Sequence, residues 1–341
     1  MDVTAFTGHE APRAHRVPCS GLGRGSPDNR RMHLMIPFAS ALSEEGQHAL
    51  GDLVLPNLAK LLARLTPTHR AGTDEYTLTM PHERALADLS GWSGEDGCLP
   101  FAARAASADG VDIGSAAWGL LTPVHWHVGA DQVSVGDPDT LHLSAEASRT
   151  FFEAVLPLFE EEGWSLAWGS PTRWYAAHDS LDNLPAASLD RVIGRNIDLW
   201  MPSHPQARLV RRLQNEVQML LYQHPLNDER IALGALPVNS FWLSGCGRAQ
   251  AGRPAPDLVI DDRLRAPAMG QDWAAWAEAW HALDAGPVAA ALERTRAGQP
   301  VTLTLAGECI AQRFEQREQP LWTRMRRRFA SATAHPILAA L

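Results

Sequence analysis

Residues 205–247, PQARLVRRLQNEVQMLLYQHPLNDERIALGALPVNSFWLSGCG, read as a helix, a tight polar corner and a strand in close succession. Val210, Leu213, Val217, Leu220 and Leu221 fall on one helical face and leave Arg208, Arg211, Arg212 and Gln214 off it. Ser203 is placed to cap this helix, with Pro205 at an early position where a missing N–H is harmless. His224 precedes Pro225, which disfavours helical backbone and ends the helix. Asn227 is expected to cap a second short turn through Arg230, closed by Gly234. Residues 238–243 then read as a strand ending at a Ser244-Gly245-Cys246-Gly247 turn with free backbone N–H groups. His224, Asn227, Arg230 and Asn239 are thereby brought towards one another, and such a corner suits an anion.

Outward from this segment, strands alternate with helices. Residues 33–36 read as a buried strand, and 50–65 as a helix broken at Leu55-Pro56. Strands are expected near 121–128, 133–135 and 165–168, and a helix near 145–162. Residues 248–267 read as a connecting loop around a short strand at 258–260; helices 272–284 and 287–297 and a strand at 301–307 follow. The alternation predicts an α/β fold with a largely parallel sheet. Trp273, Trp276 and Trp280, spaced i, i+3, i+7, form a packing stripe.

Composition narrows the functional classes. With 341 residues, 45% hydrophobic, the chain has material for one large or two moderate cores. A net charge of −9 argues against non-specific nucleic-acid binding, and the basic run RMRRRF at 324–329 reads as a solvated helix end. Lys60 is the only lysine, so cationic contacts fall to arginine. Cys19, Cys98, Cys246 and Cys309 are far apart and form no CxxC pair, a pattern that suggests neither a zinc knuckle nor a disulfide framework. No apolar run reaches the ~20 residues of a transmembrane helix, so a soluble, cytoplasmic protein without membrane contacts is expected. Residues 1–31 are polar, Gly/Pro-rich and aperiodic and read as a disordered tail, with Met32 as an alternative start.

HPLNDERIALGALPVNSFWLSGCG resembles the His-Pro-x-Asn-x-x-Arg…Gly…Pro-x-Asn…Trp…Gly-x-Gly stretch of archaeal-type cofactor-independent phosphoglycerate mutases, members of the alkaline phosphatase superfamily. GDPDTLHLSAEASRTFFEAVLPLF is similar to their Asp-x-Ser-Ala-Gly-x-Ile plus helix, SPTRWYAAH to their Tyr-Arg region and SLDRVIGRNIDLWMP to their Pro-His-Asp-Ile segment. From MHLMIPFASALSE onward the chain also resembles a bacterial family of RpfE-type regulatory, phosphoglycerate-mutase-like proteins. The resemblance implies an alkaline-phosphatase-like, partly parallel sheet with helices on both faces and an inserted α/β middle domain. On that pattern 1–31 are the tail, 32–97 the first half of the core, 98–247 an inserted binding domain and 248–341 the second half; SGWSGEDG at 90–97 suits a boundary.

Those enzymes use two divalent metals to activate a Ser or Thr nucleophile and clamp a phosphoryl group. Their first metal Asp follows the first strand, where this chain has Pro37, Phe38 and Ala39. Pro81-His82-Glu83-Arg84 stand where their Ser-Asp is expected, and only His281 and His335 occur in place of their late Asp-His and His ligands. The expected function is therefore that of a catalytically degenerate phosphoglycerate-mutase-like protein with a regulatory or small-anion-binding role and no cofactor. The alternative is an active mutase or phosphatase with an altered manganese or zinc site. Arg173 and Asp190, by position in the resemblance, join His224, Asn227, Arg230 and Asn239 as candidate contacts for a phosphorylated or carboxylated ligand. Asn227 and Asn239 serve equally as helix-cap and turn residues, and a protein partner is a further expectation. In PVHWHV, His125 and His127 share a strand face and are a weaker metal candidate, with Asp131, Asp137 or His142 as third ligand; a polar face bonded to loops is the simpler role.

Overall fold

Met32–Ile36 forms β1, whose parallel neighbours lie on either side of it in a five-stranded sheet of order β2 (Thr66–Ala71), β11 (Ala311–Glu315), β10 (Val301–Ala306), β1, β9 (Leu258–Ile260). The computed structural model describes residues 31–202, 204–253, 255, 257–316 and 333–341. Expectations for the tail up to residue 30, the Ser203 cap, Cys19 and the 324–329 basic run lie outside the described residues. In chain order the elements are β1, α1 (Glu44–Asp52), α2 (Pro56–Leu62), β2 (Thr66–Ala71), α3 (Pro81–Ser90), α4 (Phe101–Ala108), β3 (Ala117–Val124), β4 (Trp126–Val128), β5 (Val133–Val135), α5 (Ala145–Glu160), β6 (Ser165–Ser170) and β7 (Arg173–Ala177). There follow α6 (Leu189–Val192), α7 (Arg208–Tyr222), α8 (Pro225–Ala232), β8 (Ser240–Arg248), β9 (Leu258–Ile260), α9 (Arg265–Met269), α10 (Trp273–Leu283), α11 (Ala289–Arg296), β10 (Val301–Ala306) and β11 (Ala311–Glu315).

The first sheet is mixed: β9, β1 and β10 are parallel, and β11 and β2 add antiparallel. Side-chain alternation decides which helices cover it. Leu34 and Ile36 enter a core with Leu50 of α1, Leu58 of α2, Trp276 of α10 and Leu292 of α11. Met35 faces the other way, against Ala85 and Leu89 of α3. Helices therefore lie on both faces of a mixed α/β structure. The second sheet, β6-β7-β3-β8, is antiparallel and packs its core against α5 and α7. All its strands come from residues 117–248, between the chain segments that build the first sheet. Among the described residues, no helix is long and apolar enough to cross a membrane.

The break at Leu55-Pro56 is present, and its neighbour in space explains how α2 tolerates it. Leu55 offers no side-chain cap to α2. Buried Asp284 supplies one instead, accepting from the N–H groups of Asn57 (3.2 Å) and Leu58 (2.7 Å). Asp284 opens a π-helical turn, Asp284–Val288, that joins α10 to α11, so the helices expected at 272–284 and 287–297 run on through a bulge. Trp276 and Trp280 are fully buried and pack edge to face, and Trp276 donates to the Phe38 carbonyl at 3.0 Å. That bond fixes the end of β1 where Phe38 turns to φ +56°. Asp284→Ala should therefore destabilise the protein by about 2–3 kcal/mol, the cost of stranding buried donors that had a charged acceptor. Urea unfolding checks this; a change below about 0.5 kcal/mol, the range of a neutral surface substitution, would remove Asp284 as the cap of α2.

Candidate functional site

The polar corner expected from 205–247 forms, but its side chains face backbone. His224 N-caps α8, its Nδ1 accepting from the Leu226 N–H at 3.2 Å, and its ring lies 5.0 Å from Phe151. Buried Asn227 donates to the carbonyls of Leu221 (2.8 Å) and Val238 (2.7 Å) and accepts from the Val238 N–H (2.9 Å). Arg230 donates from Nε to Leu236 O (2.9 Å) and from Nη2 to Leu141 O (2.6 Å), and burial lowers its pKa. Asn239 pairs with both backbone groups of Trp126, at 2.7 and 3.0 Å. Each amide or guanidinium replaces a missing ladder partner where the chain bends.

Two expectations are corrected here. Ser244–Gly247 is not a turn: β8 continues to Arg248, pairing Ser244 with Leu120 and Gly247 with Trp118 across a bulge. Gly245 adopts φ +65°, and a Cβ there would sit 2.9 Å from the Ala102 nitrogen, so only glycine lets α4 approach. Nor do Arg173, His224 and Arg230 meet. Arg173 lies on β7 and forks onto Asp109 with two 3.0 Å bonds, joined there by the Tyr175 hydroxyl at 2.6 Å. The Arg173 fork and the Tyr175 bond hold the Asp109 carboxyl below its ordinary pKa.

His125 and His127 do approach, with ring centroids 4.4 Å apart, although His125 falls between β3 and β4 rather than on one continuous strand. His125 Nδ1 bonds the Pro237 carbonyl at 2.8 Å. Asp137 is drawn elsewhere, and among the described residues no three His, Cys, Asp or Glu side chains are grouped to hold a metal ion.

A denser cluster gathers beside the end of β1. Arg265, the first residue of α9, donates from Nε (2.9 Å) and Nη2 (2.7 Å) to Asp190 at the start of α6. Its Nη1 reaches Asp137 at 3.1 Å and the more exposed Asp139 at 3.4 Å. The Arg265, Asp190 and Asp137 side chains are 19%, 19% and 14% exposed, so water screens these contacts only in part. Burial alone would lower the Arg265 pKa, but the Asp190 and Asp137 carboxylates outweigh it and raise it.

Next to this ion cluster stands the N-terminus of α3. Glu83 accepts from the Met80 N–H at 3.2 Å and from the Ser188 hydroxyl, which itself accepts from Met80 N at 3.3 Å. Burial first, and then nearby Asp190, push the Glu83 carboxyl up to about 7. The His82 ring packs 5.3 Å from Phe38, and its Nδ1 is inaccessible and unpartnered. Burial, aided by Arg191 and Arg265, lowers the His82 pKa to about 4. Arg191 is almost fully buried and donates to Glu308 O (2.9 Å) and Thr77 Oγ1 (3.2 Å). Of this cluster Asp190 was a sequence candidate for the anion and Asp137 for a third ligand beside the histidine pair, while His82 and Glu83 were noted only as replacing a nucleophile. The one available signal was Glu83 at the third position of a Pro-initiated helix, a half capping box.

No protein-family model matches this chain, and no curated protein sequence does. Among solved structures it is similar to a cofactor-independent phosphoglycerate mutase from Thermoplasma acidophilum DSM 1728, at 12% identity and TM-score 0.36, over 91% of this chain and 99% of that one. It is also similar to the PH0037 protein from Pyrococcus horikoshii, at 10% identity and TM-score 0.44, over 84% of this chain and 87% of that one.

Two outcomes follow from the geometry. Arg230→Ala should lower stability by about 1–3 kcal/mol per stranded carbonyl, and any protection by phosphate should be equal in the variant and the wild type. Thermal unfolding with and without phosphate checks this, and protection lost only in the variant would restore Arg230 as a ligand contact. The second outcome concerns pH. A carboxyl raised from 4.5 to about 7 stabilises the fold at low pH, and that contribution is lost as pH rises to about 7. An imidazole lowered from 6.5 to about 4 acts oppositely, its stabilisation appearing as pH rises through that window. Glu83→Gln should thus make stability rise more steeply with pH than in the wild type, and His82→Gln less steeply. Unfolding curves at a series of pH values decide it; parallel profiles for all three proteins would refute the opposed pair.

Proposed function

We propose that this is a catalytically degenerate, phosphoglycerate-mutase-like protein with an RpfE-type regulatory or small-anion-binding role, cytoplasmic and without a resident cofactor. One observation supports the loss of catalysis above the others: a guanidinium lies between Asp137 and Asp190, beside the end of β1. A two-metal phosphoryl-transfer site needs carboxylates and imidazoles with free lone pairs. Here one oxygen of Asp190 and one of Asp137 accept from Arg265, which keeps its charge at any accessible pH and offers no vacant coordination position. His82 keeps an unpartnered nitrogen, but Arg191 and Arg265 beside it disfavour a further cation. The donors present do not fit a divalent pair.

The purified protein is therefore expected to show no isomerisation of 3-phosphoglycerate with manganese, cobalt or magnesium. Turnover abolished by a chelator and restored by metal would favour the alternative, an active mutase or phosphatase with an altered metal site. Arg265→Ala supplies a second readout. It should destabilise the fold by about 2–3 kcal/mol, between the ~1 of exposed ion pairs and the ~3–5 of fully buried ones. Millimolar manganese should then raise the melting temperature of Arg265→Ala, by relieving its stranded carboxylates, and leave the wild type unmoved. A wild type stabilised by manganese as strongly as the variant would show that Arg265 does not stand in for a cation.

A further inference from the structure

We propose that the cleft between the C-terminal end of α3, α4 and the chain entering β9 binds a small amphiphilic anion, a phosphate, sulfonate or carboxylate carried on a flat apolar body. The cleft holds about 500 Å³, enough for a molecule of a few rings. Leu86, Ala103, Ile113 and Leu258 give it apolar walls, and among the described residues its only charged lining residues are Arg104 and Arg253. In a chain of net charge −9, two guanidinium groups at one cleft with no carboxylate between them form a local inversion of sign.

Neither arginine is otherwise engaged by charge. The Arg104 guanidinium lies 5.6 Å over the Trp92 ring, and Arg253 Nε sits 3.4 Å from where a Cβ at Gly91 would be. Among the described residues neither side chain has an ion pair or a hydrogen bond. Trp92 itself is 9% exposed, and its indole N–H is buried without a partner. A Cβ at Gly252 would lie 3.2 Å from that nitrogen, so glycine lets the loop rest on the indole.

The cleft is also held open by fixed backbone. Gln250 accepts from Ser93 N at 3.0 Å and donates to Ser93 O at 2.7 Å, and Arg253 N donates to Ser90 O at 2.9 Å. A half-open cleft that mixes apolar walls with polar groups and two forked cations suits a ring that stacks and an anionic group that meets the forks. It lies towards the opposite end of α3 from Glu83, with Ser90 about 10 Å further along the helix.

The inference rests on the anion-binding half of the proposed function and not on the loss of catalysis. The test uses binding alone, so turnover in the mutase assay would leave it standing, and its own failure would leave the Arg265 centre untouched. The probe is anilinonaphthalene sulfonate, titrated by fluorescence against the full chain, with inorganic phosphate as competitor and uncharged phenylnaphthylamine as control. Saturable sulfonate binding is expected, weakened about tenfold or more in the Arg104→Gln/Arg253→Gln double variant, the size of a lost charge-assisted contact. Phenylnaphthylamine binding should not change in that variant. Ser107→Trp, at an exposed position on the rim, should block both probes while the melting temperature stays at the wild-type value. Wild-type sulfonate affinity in both variants, or no saturable binding in the wild type, would overturn the assignment.

Discussion

The charge cluster on Arg265 holds together parts of the chain that local structure leaves separate. Asp137 lies after β5, Asp190 opens α6 and Arg265 follows β9, so one side chain joins loops of the intervening segment to the first sheet. Carboxylates drawn this close and this far from water would repel one another strongly without a counter-charge. A divalent ion and a guanidinium both remove that repulsion, but they leave different chemistry behind. The ion keeps open coordination positions and polarises what binds there; the guanidinium fork is saturated by the carboxylates it meets and has no Lewis acidity. What remains is a tie with direction, suited to holding geometry.

Around that tie the polar groups are ordered by burial more than by solvent. Glu83 and Ser188 link the start of α3 to the start of α6, and Arg191 reaches from α6 to the Glu308 carbonyl after β10. Glu308 in turn pairs with Arg195 and accepts from the Leu42 N–H after β1. The loops at this end of β1 and β10 thus meet the α6 region through named polar contacts. Glu83 and His82 are neighbours in sequence with opposite shifts, because burial penalises the charged form of either group and the charged forms have opposite sign.

The sequence made the strongly periodic parts of this arrangement readable. β1, α5, α7 and β10 lie where apolar spacing put them, because each buries a continuous face. β2, β7 and β11 were not anticipated, nor were α3 and α4. TPTHRA carries Pro67 and exposed polar side chains, as an edge strand does, and AQRFE is similarly mixed. The corner residues were found and their orientation was not. Nothing in a sequence states whether Arg230 faces a ligand or the Leu141 carbonyl 89 residues away. Arg265 was passed over within a stretch that reads as a connecting loop, since its partners lie 75 and 128 residues distant.

The cleft and the ion cluster share more of the chain than their separation suggests. The loop that closes the cleft leads into β9, and the residues after β9 carry Arg265. β9 pairs with β1 over three residues only, His33 to Leu258 through Met35 to Ile260, and among the described residues has no partner on its other edge. So short a ladder places β9 among the elements that open at small free-energy cost. Gln250 and the Arg253 N–H anchor its near end to the Ser90–Ser93 turn, and Arg265 anchors its far end through Asp190. An occupant that tightens the near anchor raises the cost of opening β9. By linkage it then holds Arg265 more firmly in its carboxylate nest, and a firmly held Arg265 favours the occupied cleft to the same degree. The two sites need no conducting path through the core for this, because one weakly paired strand carries both anchors.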